Sequence, residues 1–207
     1  MYNGCCTSPK RNGLFSDGSE KTGSGRETGN FMPRVAQQTM SIIVASERLE
    51  LRQLTLEDAP FILELVNDPS WLRFIGDRGI RTLEQAEAYL QNGPMASYAA
   101  HGFGLYLVQR KADGARLGMC GLLQRPSLPH PDIGFAYLPQ FTGQGYGFEA
   151  ATAVLHHAHH QLNLFPILAI VKPDNRPSIK LLEKLGMHCQ ERLSLDEGQS
   201  EVLLYSS

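Results

Sequence analysis

Three glycines at alternate positions, in Gly143-Gln144-Gly145-Tyr146-Gly147, stand between a strand-like run from Asp132 to Leu138 and a helix-patterned run from Phe148 to Leu162. A loop of this kind presents several backbone N–H groups at the positive end of a helix dipole, with no side chains blocking approach. That is chemistry for an anion, most simply a pyrophosphate. The spacing excludes two common versions. An NTPase phosphate loop needs G-x-x-x-x-G-K-[ST], and no Lys follows any glycine here. A dinucleotide fingerprint needs G-x-G-x-x-G after the first strand of a βαβ unit, whereas these glycines lie late, after an antiparallel run. On their own, the glycines also suit a tight turn that holds nothing.

Other residues could do chemistry nearby. Asp132 stands at the entry to the strand, where position alone reads as an ordinary exposed strand-end carboxylate. Asn175 and Ser178 have the spacing of a helix cap, and Asn175 could cap and face a ligand together. Glu149 falls in the first turn of the helix after the loop, where a carboxylate favours the dipole. His156, His157, His159 and His160 include i, i+3 and i+4 pairs that could share a metal ion. The apolar stripe Ala151, Val154, Leu155, Ala158 and Leu162 runs through their neighbours, so the histidines are expected on the solvated face and no metal is expected. Cys5, Cys6, Cys120 and Cys189 lack zinc-ligand spacing and a disulfide framework; Cys120 and Cys189 read as small core residues.

The elements that must hold these residues follow from local signals. Ile42-Ile43-Val44 and Leu49-Glu50-Leu51 read as half-buried strand. Thr55-Leu56-Glu57-Asp58 looks like a capping box ahead of Phe61, Ile62, Leu65 and Val66, with Pro60 in the first turn. A loop with Trp71, Phe74, Asp77 and Arg78 follows. Thr82 and Gln85 open a second helix, with Ala86, Tyr89 and Leu90 on one face, and Gly93-Pro94 is expected to end it. Phe103 to Gln109 and Leu117 to Leu123 flank the hairpin signal Ala112-Asp113-Gly114. Pro166 to Val171 reads as a buried, parallel-type strand, and Asp174-Asn175-Arg176-Pro177 starts a helix with Ile179, Leu182 and Leu185 inward and Gly186 past its end. Two last strands, Met187 to Leu193 and Glu201 to Tyr205, flank Asp196-Glu197-Gly198. The fold class is α/β (α+β), a single mixed, mostly antiparallel twisted sheet flanked by helices.

Residues 1–39 are rich in Gly, Ser, Thr and charge, with scattered apolar residues, and cannot bury enough surface to offset their ordering entropy. They are expected to be a disordered extension, or to lie upstream of a true start at Met40; residues 40–207 form one domain. With 19 Lys+Arg against 21 Asp+Glu, the formal net charge of −2 supplies no basic field for nucleic acid. No apolar run approaches the roughly 20 residues a membrane span needs, and no signal peptide opens the chain, so a cytoplasmic protein is expected, monomer or homodimer.

Two motifs in order then carry a resemblance. Tyr137-Leu138-Pro139-Gln140-Phe141-Thr142-Gly143-Gln144-Gly145-Tyr146-Gly147 resembles the acyl-coenzyme A pyrophosphate motif of the GNAT superfamily of N-acetyltransferases. Asn175-Arg176-Pro177-Ser178 through Glu183-Lys184-Leu185-Gly186-Met187 resembles its next motif, and Glu47 to Arg52 with Asp132-Ile133-Gly134-Phe135 looks like the ribosomal-protein N-terminal alanine acetyltransferase branch. The resemblance covers residues 45 to 205 and implies the GNAT fold, acetyl-CoA as cosubstrate and an amine acceptor, either a protein N-terminus or a small amine, attacking directly in a ternary complex. It further implies that the backbone N–H of Phe135 faces the thioester carbonyl and that the Tyr137 backbone pairs with the pantetheine. Thr142, Gly143, Gln144, Gly145, Tyr146 and Gly147 would hold the pyrophosphate, with Asn175 near the cofactor. Because some relatives carry an acidic residue at the position of Asp132, the resemblance also makes Asp132 the best side-chain base, acting directly or through water. Thr142 stands where the family often has Gln or Arg. Leu182 stands where many members place an acidic Tyr, which leaves Ser178, another group or water to protonate the leaving sulfur. The competing readings are a non-catalytic acyl-CoA sensor and a nucleotide-binding α/β domain.

Overall fold

A computed structural model describes residues 41–194 and 201–207. The extension expected over residues 1–39 and the turn at Asp196-Glu197-Gly198 lie outside the described residues. The chain runs through β1 (Ile42–Ala45), β2 (Leu49–Gln53), α1 (Ala59–Val66), α2 (Pro69–Phe74), α3 (Leu83–Leu90), α4 (Ala96–His101), β3 (Leu105–Arg110), β4 (Arg116–Leu123) and β5 (Asp132–Tyr137). It continues through α5 (Tyr146–His160), β6 (Leu168–Val171), α6 (Arg176–Lys184), β7 (His188–Leu193) and β8 (Val202–Ser206). The strands form one eight-stranded sheet in the order β1-β2-β3-β4-β5-β6-β8-β7. Every adjacent pair is antiparallel except β5 and β6. The mixed, mostly antiparallel sheet flanked by helices is therefore as the sequence predicts.

Alternation along the strands divides the interior in two. Ile133, Phe135 and Tyr137 of β5 join the core beneath α5 and α6, with Val154, Ala158 and Leu182. Ala136 and Leu138 join the opposite core, with Phe61, Leu65, Trp71 and Leu90 of α1, α2 and α3. The capping box is real: a short 3₁₀ turn, Leu56–Asp58, follows Thr55, and α1 starts one residue later with Pro60 in its first turn, where a missing N–H costs nothing.

Four local readings change. The stretch around Trp71 and Phe74 is helix α2, because Asp68 accepts a bond from the Ser70 N–H at 2.8 Å and Pro69 presets the first turn. Gly93-Pro94 does not stop the helical path. A wide π turn over Gln91–Met95 accommodates Pro94, and α4 follows until Gly102, at φ 76°, ends it. Cys120 is buried as expected, but Cys189 is exposed, since β7 forms the sheet edge with most of its residues open to solvent. His157 is buried, with its Nδ1 2.9 Å from Gln161 Oε1, because the buried arc of α5 is broad enough to include it; His156 and His160 remain exposed.

One buried ion pair ties the first strands to the helical layer. Arg52 Nη1 and Nη2 each donate to Asp58 at 2.8 Å, and the Thr55 N–H donates to Asp58 Oδ2 at 2.9 Å. Burial alone would raise the Asp58 pKa; the bonds from Arg52 and Thr55 and the charges of Arg52 and Arg116 outweigh it and hold the carboxyl below its ordinary 3.8. Asp58→Ala would leave Arg52 buried and uncompensated, costing about 3–5 kcal/mol of stability by denaturant unfolding. Because the folded pKa is depressed, the stabilisation from Asp58 is fully present above the unfolded value and is lost as pH falls below it. The wild type should therefore lose stability below about pH 4 by more than an Asp58→Asn variant does.

Candidate active site

β5 and β6 pair through a single register position, Asp132 with Leu168. Beyond it the strands part, and β6 turns to β8 for its other partner. The result is a notch that opens toward the carboxyl ends of two parallel strands, where open sheets hold ligands. Backbone alternation says what lines it. The Leu138 N–H donates to Leu117 O across β4, and Leu168 N–H donates to Pro131 O at the apex. The N–H groups of Phe135 and Tyr137, out of step with that of Leu138, therefore point away from β4 and toward the notch.

The glycine loop closes the wide end of the notch. Gly143 and Gly145 have φ of 73° and 84°, a region other residues occupy at a cost, and nothing stands within 4 Å of the position a Cβ would take at Gly143. Gly145 is the N-cap of α5 and has no side chain to bond the first turn, so the N–H groups of Tyr146, Gly147 and Phe148 have no acceptor among the described residues; Glu149 is the first to donate, to Gly145 O at 3.1 Å. Two polar side chains serve the loop itself. Thr142 Oγ1 donates to Pro139 O and Gln144 Nε2 to Gln140 O, each at 2.8 Å. Gly147 plays a different part from its neighbours: it lies where α5 packs on β5 and α6, and a Cβ there would stand 3.4 Å from the Tyr137 ring and 3.5 Å from Leu181, in ordinary van der Waals contact. The Tyr146 side chain is buried and leaves only its backbone for a ligand.

An arginine that sequence reading left without a role locks this loop. Arg48, in the β1–β2 turn, donates from Nε and Nη2 to Glu149 Oε2 at 2.7 Å and from Nη1 to Gln144 O at 3.2 Å, and its guanidinium lies 4.5 Å from the Tyr146 ring centroid. The Arg48 N–H and Ser46 Oγ hold the other Glu149 oxygen at 2.8 and 2.7 Å. Burial pushes the Glu149 carboxyl up, but these bonds prevail and keep it below its ordinary value. Glu149 therefore spends both carboxylate oxygens on the β1–β2 turn. It is drawn sideways and neutralised, so its charge does not oppose an anion at the α5 terminus.

The other wall begins at Asn175, whose Oδ1 accepts the Ser178 N–H at 3.3 Å. The Ser178 hydroxyl has no partner among the described residues. Leu182 is 1% exposed, within the core. Asp132 stands at the apex, on the face toward α1–α3, and is 1% exposed rather than an open strand-end carboxylate. Arg125 covers it, with Nε 2.9 and 3.0 Å from the two carboxylate oxygens. Burial raises the Asp132 pKa and the Arg125 charge only partly offsets it. Among the described residues no group of three or more His, Cys, Asp or Glu is placed to hold a metal ion, and no helix is long and apolar enough to cross a membrane.

A family model for the acetyltransferase (GNAT) domain matches residues 48–188, which contain the notch, the loop and Asn175. The chain belongs to the GNAT acetyltransferase family. It is 26% identical over 144 residues to the uncharacterized N-acetyltransferase YnaD of Bacillus subtilis, spanning 70% of this chain and 81% of the relative. It is 23% identical over 151 residues to the spermidine N(1)-acetyltransferase of Escherichia coli, spanning 72% and 77%. Among solved structures it is similar to RimL, the ribosomal L7/L12 alpha-N-protein acetyltransferase, in complex with coenzyme A, with a TM-score of 0.69 and 19% identity over 81% of this chain and 97% of that one. At that identity the likeness establishes a shared fold. The GNAT sheet is thus the frame for this notch.

Gly145→Val would force a β-branched residue to φ 84° and bring its Cβ within 3.4 Å of Arg48 Nη2. The expected outcome is a stability loss of about 1–2 kcal/mol, with coenzyme A binding weakened tenfold or more by titration calorimetry. Unchanged affinity would show that the loop is only a turn.

Proposed function

We propose that the protein transfers an acetyl group from acetyl-CoA to a primary amine by direct attack in a ternary complex. The observation that carries this is the notch itself: a strand edge with free N–H groups, ending in an uncapped 15-residue helix. The free N–H groups of Tyr146, Gly147 and Phe148, with the open backbone of Gly143 and Gly145, suit the pyrophosphate. The six residues of β5 run from loop to apex, so an extended pantetheine arm can lie along their exposed edge as a strand would. The coenzyme A in the RimL complex supports the same cosubstrate here.

Three demands remain, and the chain has a group for each. The Phe135 N–H donates to the carbonyl oxygen as negative charge grows on it. Asp132 accepts the proton lost by the amine nitrogen as its bond to the acyl carbon forms; since Arg125 covers it, the proton reaches it through water. The Ser178 hydroxyl donates to the sulfur as the C–S bond breaks. Asn175 holds the turn that presents Ser178. The acceptor amine is a small molecule or a protein N-terminus.

A second reading, a non-catalytic acyl-CoA sensor, is favoured by one observation: the buried, apolar Leu182 offers no proton to a leaving thiolate. Thiol release from acetyl-CoA with a panel of peptide and small amines separates the two. Release that depends on the amine establishes the enzyme; coenzyme A binding without release establishes the sensor.

For Asp132→Asn, kcat/KM should fall about 10²–10³-fold at neutral pH and recover in part at high pH, where the amine arrives deprotonated. The acidic limb of the wild-type profile should lie above the ordinary carboxyl value of 3.8, because burial raises the Asp132 pKa and the base must be ionised to act. Parallel profiles of similar rate would eliminate Asp132 as the base.

A further inference from the structure

On the other side of the glycine loop from the notch lies a cationic cavity. β5 is parted from β6 but paired along its whole length with β4, and the loop rises from its end. On the β4 side, that end of the sheet carries the β1–β2 and β3–β4 turns, which the Lys111 N–H joins by donating to Arg48 O at 2.9 Å. Between these turns and the first residue of α5 is a cavity of about 390 Å³, lined by Glu47, Arg48, Arg110, Lys111, Ala112 and Tyr146. Three cations there face one acid. Arg110 Nη1 donates to the Tyr146 hydroxyl at 3.3 Å, and the Arg48 guanidinium lies 4.5 Å from the centroid of the same ring. The acids that pair with the two arginines are not part of the lining: Glu149 binds Arg48, and Arg110 donates from Nε and Nη2 to Asp113 at 2.9 and 2.6 Å. Lys111 has no such counter-charge. Its Nζ donates to a neutral acceptor, Ser46 O, at 2.6 Å, and it has no ion pair among the described residues. Glu47 is exposed and unpaired among them as well. A lining so rich in N–H donors on cationic groups, and so poor in acceptors, suits a phosphate monoester.

We propose that this cavity holds a phosphate monoester, and that the group is the ribose 3′-phosphate of coenzyme A bound at the glycine loop. This rests on the acetyl-transfer reading above. Tyr146 belongs to both places: its N–H is among those without an acceptor at the loop, and the residue lines the cavity. With the pantetheine in the notch and the pyrophosphate on the loop, the nucleotide continues away from the notch, toward the β3–β4 turn. The 3′-phosphate is carried on the same ribose as the pyrophosphate, which puts the cavity within its reach. The site thereby selects coenzyme A thioesters over pantetheine thioesters that lack this phosphate.

Titration calorimetry with coenzyme A and 3′-dephospho-coenzyme A, which differ only in that phosphate, tests this. Coenzyme A should bind at least tenfold tighter at low salt, with the ratio falling as ionic strength rises. Lys111→Ala should lower the ratio threefold or more, with the affinity for dephospho-coenzyme A within twofold of wild type. Two substitutions that remove no described ion pair or side-chain hydrogen bond give the sign in both directions: Ala112→Asp should lower the ratio, and Glu47→Gln should raise it. Equal affinity for the two cofactors, or a ratio that Lys111→Ala and Ala112→Asp both leave unchanged, would overturn the proposal. Inorganic phosphate separates the cofactor's own phosphate from a free one. It should bind to protein saturated with dephospho-coenzyme A and not to protein saturated with coenzyme A, in which the cavity is already filled. Phosphate binding equally to both complexes would put the 3′-phosphate elsewhere and overturn the assignment. Binding of neither cofactor would remove the acetyl-transfer reading together with this one, whereas binding of both without preference contradicts this one alone.

Discussion

The separation of β5 and β6 after one residue pair is the constraint around which the rest is arranged. A continuous ladder there would satisfy every backbone group and leave no room for a ligand. Parting the strands leaves N–H and C=O groups of β5 without partners inside a folded domain, which costs free energy until something pairs with them. The molecule tolerates this because the sheet is secured on both sides. β2 to β5 form an unbroken antiparallel run, and β6 is held by β8 along all four of its residues. Two cores clamp the halves from opposite faces. The notch thus fits the proposed cosubstrate, an extended chain ending in an anion.

Electrostatics at the mouth follows from the same need. The helix terminus attracts an anion only if nearby acids are kept from opposing it. Glu149, in the first turn of α5, is held by four donors from the β1–β2 turn. That network also fixes the β1–β2 hairpin to the loop, so the rim of the proposed cofactor site is built partly from β1 and β2. At the apex the balance is reversed: Arg125 compensates Asp132 with one edge of its guanidinium and leaves the other edge available.

Much of this was legible in the residues, and the reason is that it is local. Capping boxes at Thr55 and Thr82, the glycine loop, the cap at Asn175 and the period-two strands each declare themselves within a few residues. Their order was enough to resemble the family and to place its fold. What was hidden depends on distant partners. Arg48 and Glu149 lie 101 positions apart, and nothing in either segment announces the pair. The burial of Asp132 was hidden because burial is a property of the assembled sheet and of Arg125 above it. Pro94 read as a stop because a π turn is a rare answer to a proline. Cys189 read as core because alternation alone does not reveal that its strand ends up at an edge. His157 read as solvated because the helix stripe, taken at its narrowest, omits a position that the fold covers.

The account turns on whether the β5 edge is completed by the cosubstrate. Amide hydrogen exchange at Phe135 and Tyr137, followed residue by residue with and without acetyl-CoA, tests this most directly. The prediction is that both amides exchange readily in the free protein and become strongly protected with acetyl-CoA, while ADP, which can fill the glycine loop but has no pantetheine arm, protects the loop amides of Tyr146 and Gly147 and leaves Phe135 and Tyr137 unchanged. Exchange at Phe135 and Tyr137 that is indifferent to acetyl-CoA would contradict the account.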